Sequence, residues 1–138
     1  MTEVLLSGNP DDVSEEDVRS AVLKTVQSES ANIETVTVAF IAAHDMRQLN
    51  LRYRGKDAAT DVLSFPFDAS FPTGSGGEMY ICTEVCRTHS GHLGREVSEE
   101  VLHMVIHGTL HLIGYTDETD EQLEVMEAKT RRILKSDG

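Results

Sequence analysis

Ser98-Glu99-Glu100-Val101-Leu102-His103-Met104-Val105-Ile106-His107-Gly108-Thr109-Leu110-His111-Leu112-Ile113-Gly114-Tyr115-Thr116-Asp117 carries two patterns at once. After its acidic first turn the run to Ile113 is almost continuously apolar. A helix apolar all round forms the buried centre of a fold rather than one of its surfaces. Within it, His107 and His111 stand one helical turn apart, so both imidazoles lie on the same face. Gly114 tolerates positive φ and can end the helix, which lets the chain turn and bring Asp117 back toward that face. Two histidines and one carboxylate make three ligands and leave a coordination position open, the pattern of catalytic rather than structural metal sites. A plainer alternative stands beside this one: two core histidines hydrogen-bonded to each other. His103 lies one turn before His107, and His103 to His111 spans about 12 Å at about 1.5 Å per residue. That is too far for one ion with bonds of about 2.1 Å. The glycine turn follows His111, so His107, His111 and Asp117 are the candidate ligands, and His103 is read as a supporting or packing residue.

The slots between the two histidines hold Gly108 and Thr109. The zinc-peptidase helix H-E-x-x-H places its general base there, so a peptidase reading loses its main support. A bound divalent ion can still lower the pKa of water to about 7, which keeps hydrolysis open.

The chain has 138 residues, enough for one domain (1–138) with a real core. No basic stretch followed by an apolar run opens the sequence, and no segment approaches the roughly 20 apolar residues that span a membrane. A cytoplasmic location is the resulting expectation. Cys82 and Cys86 are spaced as on one helix face, and a reducing compartment argues against a disulfide. Together with His89 they could form a second metal site, but buried small residues are the favoured account. The net charge of −12 argues against tight, nonspecific binding of nucleic acid. The charge is uneven, however. Arg47, Arg52, Arg54 and Lys56 cluster, whereas acids concentrate at Asp11 to Asp17 and Asp117 to Glu127. A local basic patch can still bind phosphates.

Ser14 to Gln27 predicts a helix capped by Ser14, with Val18, Ala21, Val22 and Val26 inward. Thr35 to Ala42 predicts a strand. Asp45 to Tyr53 predicts a short helix with Met46, Leu49 and Tyr53 inward. Asp61 to Phe67 and Glu78 to Cys82 predict strands, the second leading into a helix to about His92. Ala69 to Gly77, with Pro72 and several glycines, predicts a loop, and it lacks the Gly-Lys-Ser/Thr ending of a P-loop. Thr119 opens a last helix with Gln122 as capping partner and Leu123, Met126 and Ile133 inward. Helices outnumber strands and do not alternate regularly with them. The expected class is α+β: a small sheet packed against several helices, with the histidine helix buried at the centre.

The run His107 to Tyr115 resembles the signature H-G-x-L-H-L-x-G-Y-D-H of the YbeY family of endoribonucleases and ribosomal RNA maturation factors. A second block, Leu49-Asn50, Tyr53-Arg54-Gly55-Lys56-Asp57 and Thr60-Asp61-Val62-Leu63-Ser64-Phe65-Pro66, is similar to the family's L-N-x-x-Y-R-G-K-D-x-x-T-[DN]-V-L-S-F-P. Gly77-Glu78-Met79-Tyr80-Ile81 is a weaker third match. The chain departs from the pattern where the family's third ligand is usually His: Asp117 stands there, and Thr116 stands where the family has Asp. A register shift would instead offer Glu118. Asp in place of His adds negative charge and favours harder ions, while two histidines and a carboxylate remain an established zinc set.

The resemblance implies a small mixed sheet around a buried metal helix. It implies one divalent ion, with zinc favoured, and a metal-dependent, single-strand-specific endoribonuclease acting in ribosomal RNA maturation and ribosome quality control. Its partners would be single-stranded RNA, ribosomal RNA and the ribosome, with neither membrane nor DNA. It further implies that Arg54 is catalytic, against the alternative of a salt bridge to Asp57 or Asp61. Arg52 and Lys56 would steer RNA, and Asp61 and Ser64 would line the cleft or satisfy strand ends. Two alternatives remain: a non-catalytic ribosome-assembly factor with a fold-stabilising metal, and a metallopeptidase-like hydrolase, which Gly108 disfavours.

Overall fold

The computed structural model describes residues 2–8, 10, 12–67 and 75–136. In chain order the elements are β1 (Glu3–Ser7), α1 (Glu15–Ser28), β2 (Thr35–Phe40), α2 (Ala43–Arg54), β3 (Val62–Pro66), β4 (Gly76–Ile81), α3 (Thr83–Leu93), α4 (Val97–Ile113) and α5 (Asp120–Lys135). The sheet order is β1-β2-β4-β3. β1 and β4 run parallel to β2, and β3 runs antiparallel to β4. The class is α+β with a mixed four-stranded sheet, as expected. β1 was not expected. Its short Glu-Val-Leu-Leu-Ser sequence carries no clear alternation, and only its pairing with β2 makes it a strand.

Local chemistry sets most helix ends. The Ser14 hydroxyl accepts from the Asp17 N–H at 3.1 Å and starts α1. Thr119 and Gln122 form a reciprocal capping box at α5. Alternation along the strands then sorts side chains to two faces. Val36, Val38, Met79 and Ile81 join Val18, Val22, Val101, Val105, Leu110 and Met126 in the main core, between one sheet face and helices α1, α4 and α5. Leu63 meets Met46 and Cys82 on the opposite face, which α2 covers. α4 is buried along nearly its whole length, as its uniform apolarity predicts.

Gly108 explains how closely α4 lies on the sheet. A Cβ there would come within 2.9 Å of Met79 Sδ, 3.1 Å of Ser64 Oγ and 3.2 Å of Val62 Cγ2. A glycine lets the helix sit directly on β3 and β4. The same contacts show why no Glu stands between the histidines: a side chain at this position points into the sheet.

Three expectations are corrected. Tyr53 is exposed rather than inward: among the described residues its ring meets Phe65 of the edge strand β3 edge-on and stays largely open to solvent. Leu123, in the first turn of α5, is also exposed. The expected loop Ala69 to Gly77 lies outside the described residues from 69 to 74, and its last two residues, Gly76 and Gly77, belong to β4. Gly77 is there for packing, since a Cβ would come within 2.5 Å of the Phe65 carbonyl oxygen and 2.6 Å of Leu112 Cδ2. Cys82 and Cys86 are free, buried thiols, and burial pushes both pKa values upward. His89 lies against Asp61, with Nδ1 to Oδ2 at 3.3 Å, and close to Glu100, so it is not grouped with the cysteines. Among the described residues no helix is long and apolar enough to cross a membrane.

Candidate functional site

Gly114 ends α4 with φ +126°, a conformation that glycine adopts freely. The chain reverses there, and Asp117 comes back over the helix face that carries His107 and His111. The Nε2 atoms of the two histidines are 3.1 Å apart. Asp117 Oδ2 is 3.4 Å from His107 Nε2 and 3.3 Å from His111 Nε2. A tetrahedral ion with bonds of about 2.0–2.1 Å separates its ligand atoms by about 1.63 bond lengths, or about 3.3 Å. The three atoms therefore outline one face of such a coordination shell. Asp117, not Glu118, completes the group, and His103 is outside it.

Of the two outer ring nitrogens, that of His111 has the hydrogen-bond partner that a metal-bound imidazole requires. His111 Nδ1 lies 3.0 Å from the Tyr115 carbonyl oxygen, so it carries the hydrogen and leaves Nε2 free to accept. His107 Nδ1 is buried without a hydrogen-bond partner among the described residues, and the Glu127 carboxylate lies near it, with Oε1 at 3.9 Å. The other oxygen of Glu127 is 3.1 Å from His103 Nε2. Burial, followed by the neighbouring His111, holds the His107 pKa below its ordinary value. Burial thus favours the neutral ring of His107.

The turn that carries Asp117 is tethered from the opposite side. The Tyr115 hydroxyl donates a hydrogen bond to Glu29, which also receives Lys129 Nζ at 3.2 Å. Lys129 lies 5.2 Å from the centre of the Tyr115 ring. Burial alone would raise the Glu29 pKa, but the bonds from Tyr115 and Lys129 and the charge of Lys129 outweigh it and hold the pKa low.

The triad opens into a cleft of about 620 Å³ that wraps the free edge of β3. Gly114 to Asp117 and the two histidines form one side. Thr60 to Pro66 cross the middle, and Tyr53 and Arg54 lie at the end of α2. The Asp61 carbonyl accepts from Cys82 N–H at 2.9 Å, and Phe67 N–H donates to the Gly76 carbonyl at 2.8 Å. With the β3–β4 register, odd-numbered residues of β3 bond to β4. The main-chain groups of Val62, Ser64 and Pro66 therefore face the open edge. The Val62 N–H is capped by Asp61 Oδ1 at 2.8 Å, and the Ser64 hydroxyl donates to the Gly108 carbonyl at 3.1 Å, joining β3 to α4.

The basic residues are distributed unequally. Arg54 lines the cleft, and it makes no ion pair among the described residues, including with Asp57 or Asp61. Asp57 instead holds Arg47 by two bonds of 2.6 and 2.9 Å, which removes Arg47 from the free basic patch. Arg52 and Lys56 are exposed beside the cleft and do not line it. The reading of the sequence missed Glu127, Glu29 and the outward Tyr53. Glu127 and Glu29 meet it through contacts distant in sequence, for which no local pattern exists, whereas Tyr53 stood in the quoted block and only its exposure was unforeseen.

A family description, Endoribonuclease YbeY, matches residues 8–138. An endoribonuclease YbeY from Chromohalobacter salexigens is 43% identical over 101 residues, which are 72% of this chain and 66% of that relative, so the match spans just under two thirds of the relative's length. The solution structure of TM1509 from Thermotoga maritima is similar with a TM-score of 0.65 and 26% sequence identity, covering 96% of this chain and 87% of that one. The family match runs through every element from α1 to α5, the histidine helix and its returning aspartate among them, and the chain belongs to the YbeY endoribonuclease family.

Proposed function

We propose that this protein is a metal-dependent endoribonuclease that cuts single-stranded RNA, acting on ribosomal RNA during maturation and quality control of the ribosome. The observation that carries the reading is the convergence of His107 Nε2, His111 Nε2 and Asp117 Oδ2, 3.1 to 3.4 Å apart, in a cleft that also receives Arg54. A hydrogen-bonded histidine pair needs no carboxylate equidistant from both rings, whereas a three-ligand ion site does.

The donor set suits zinc, with Asp117 also tolerating harder divalent ions. When bound, the ion supplies Lewis acidity toward a phosphate oxygen and lowers the pKa of water. The chain supplies the rest. Burial favours the neutral ring of His107, and Tyr115 fixes the tautomer of His111. Arg54 presents a planar, permanently charged fork that neutralises charge building on the phosphoryl oxygens. Its freedom from ion pairs leaves the guanidinium available to the phosphate. Arg52 and Lys56 attract the flanking backbone from outside the cleft. A peptidase reading has no support at position 108, where any side chain would be directed into the sheet.

The test is cleavage of an end-labelled single-stranded RNA by the zinc-loaded protein beside an identically purified His107→Ala/His111→Ala variant. Cutting by the wild type alone, abolished by chelator, is expected. Equal cutting by both, or no cutting by a wild type shown to contain metal, overturns the reading. Asp117→Ala should lose bound metal, whereas Glu118→Ala should retain it.

A further inference from the structure

Tyr53 is an aromatic ring in an unusual place. Of the exposed large hydrophobic residues among those described, it alone is aromatic and it alone lines the cleft. It is 57% exposed, although it is the neighbour of Arg54 in the sequence. Its orientation is not loose. The ring meets Phe65 edge-on at 5.1 Å between centroids and 62° between planes. Phe65 in turn meets Tyr80 at 5.9 Å and 72°. The Tyr80 hydroxyl is anchored on Glu78 at 2.6 Å. The three rings brace one another across the sheet edge; Phe65 and Tyr80 are half-buried, and the outermost, Tyr53, is the exposed one.

The geometry points to a nucleobase-stacking subsite on Tyr53, which holds an unpaired base of the substrate next to the phosphate addressed by Arg54. This rests on the endoribonuclease reading and adds to it the group that grips the substrate. Two physical arguments support it. First, every nucleobase has a π face, and a braced, exposed ring beside a phosphate-binding arginine is how single strands are held without reading their sequence. Bases inside a duplex are stacked on one another and cannot reach such a ring. Second, the net charge of −12 deprives this chain of the long-range attraction that basic nucleases use. Beyond the local charges of Arg52, Arg54 and Lys56, affinity then rests on short-range contacts that salt does not screen, and stacking on an exposed ring is one of these. The Arg52 guanidinium, 5.6 Å from the Tyr53 centroid, lies on the same ring and adds a cation beside the bound nucleotide.

The chain contains no tryptophan, so Tyr53→Trp installs a sole fluorescent reporter in the subsite. Titration of the zinc-loaded variant with a short single-stranded RNA should quench the indole emission. An oligomer of the same length built from abasic nucleotides, with the same phosphates and no bases, should leave it unchanged. In parallel, anisotropy of a labelled RNA should show binding weakened by roughly 5- to 150-fold in Tyr53→Ala and in Tyr53→Leu, the range for loss of one stacked base. Tyr53→Phe, which restores the ring, should recover most of that loss. Tyr53→Leu keeps an apolar contact with Phe65, and metal content and melting temperature of each variant check the fold.

Wild-type cleavage together with Tyr53→Ala binding within twofold of wild type overturns the subsite and leaves the nuclease reading standing. Quenching by RNA and not by the abasic oligomer, with no cleavage by the wild type, supports the subsite and overturns the nuclease. Equal response to both oligomers overturns stacking in favour of phosphate contact. An RNA that neither binds nor is cut overturns both.

Discussion

Glu127→Ala should weaken metal binding although Glu127 is not one of the three converging ligands. Its carboxylate lies between two buried imidazoles, with Oε2 3.1 Å from His103 Nε2 and Oε1 3.9 Å from His107 Nδ1. His107 Nδ1 has no hydrogen-bond partner among the described residues, and this carboxylate is placed to favour the tautomer that presents Nε2 to an ion. Removing such an outer partner typically costs 10- to 100-fold in metal affinity, or about 1.4–2.7 kcal/mol at about 1.4 kcal/mol per decade. The assay is competition for zinc between the purified apoprotein and a chromophoric chelator. Glu118→Ala is the control, because Glu118 lies on the same turn and outside the ligand group; it should bind zinc within twofold of wild type. Glu127→Gln should fall between wild type and Glu127→Ala, since its amide oxygen can still accept from one ring. Zinc affinity of Glu127→Ala within twofold of wild type, or a larger loss in Glu118→Ala, would refute the assignment of Glu127 as the group that orients His107.

Three further outcomes follow from the same geometry. Arg54→Ala should lower turnover by on the order of 10²–10³, the usual cost of one transition-state donor, with metal content unchanged by elemental analysis; loss of metal would mark Arg54 as structural. Gly108→Glu, which writes the peptidase motif into α4, should yield no cleavage of casein. It should also lose about 2–6 kcal/mol in urea unfolding, from overpacking against Met79, Ser64 and Val62 and from burial of a polar group; wild-type stability would show that α4 is not closely seated on the sheet. The depressed pKa of Glu29 makes its contribution complete above the unfolded value near 4.5 and lost as pH falls through the lower folded value. Glu29→Gln should therefore be less stable than wild type at pH 7, and the difference in urea midpoint should shrink below pH 4.5; a pH-independent difference would contradict the ionic tether.

α4 and its ligand pair were legible in the sequence because their signals are local. The uniform apolarity of Val101 to Ile113 marks a buried helix, the spacing of His107 and His111 places them on one face, and Gly114 stops the helix where Asp117 can return. The caps at Ser14 and at Thr119 with Gln122 are local in the same way, and so is the inward stripe of Val18, Ala21, Val22 and Val26. All depend on groups within a few residues of each other, whose relative positions follow from covalent geometry once the helix forms.

Other features depended on partners that the linear order does not identify. β1 is a strand because β2 lies beside it. Gly76 and Gly77, read as loop by composition, are strand because they pair with Thr35 and Val36 of β2, and Gly77 also with Pro66 of β3. Tyr53 fits the inward stripe of α2 but lies exposed at the cleft, its ring packed edge-on against Phe65 of the edge strand β3. Glu127 reaches His103 and His107, and Glu29 reaches Tyr115, only through the packing of α5 and α1 around α4. The sequence by itself therefore determined the buried histidine helix and its pair one turn apart, through short-range spacing, and offered Asp117, with Glu118 as the alternative, as the third group. Only the tertiary structure decided the strand order, the exposed ring at the cleft and the carboxylates behind the histidines, because those follow from which surfaces pack together to exclude water.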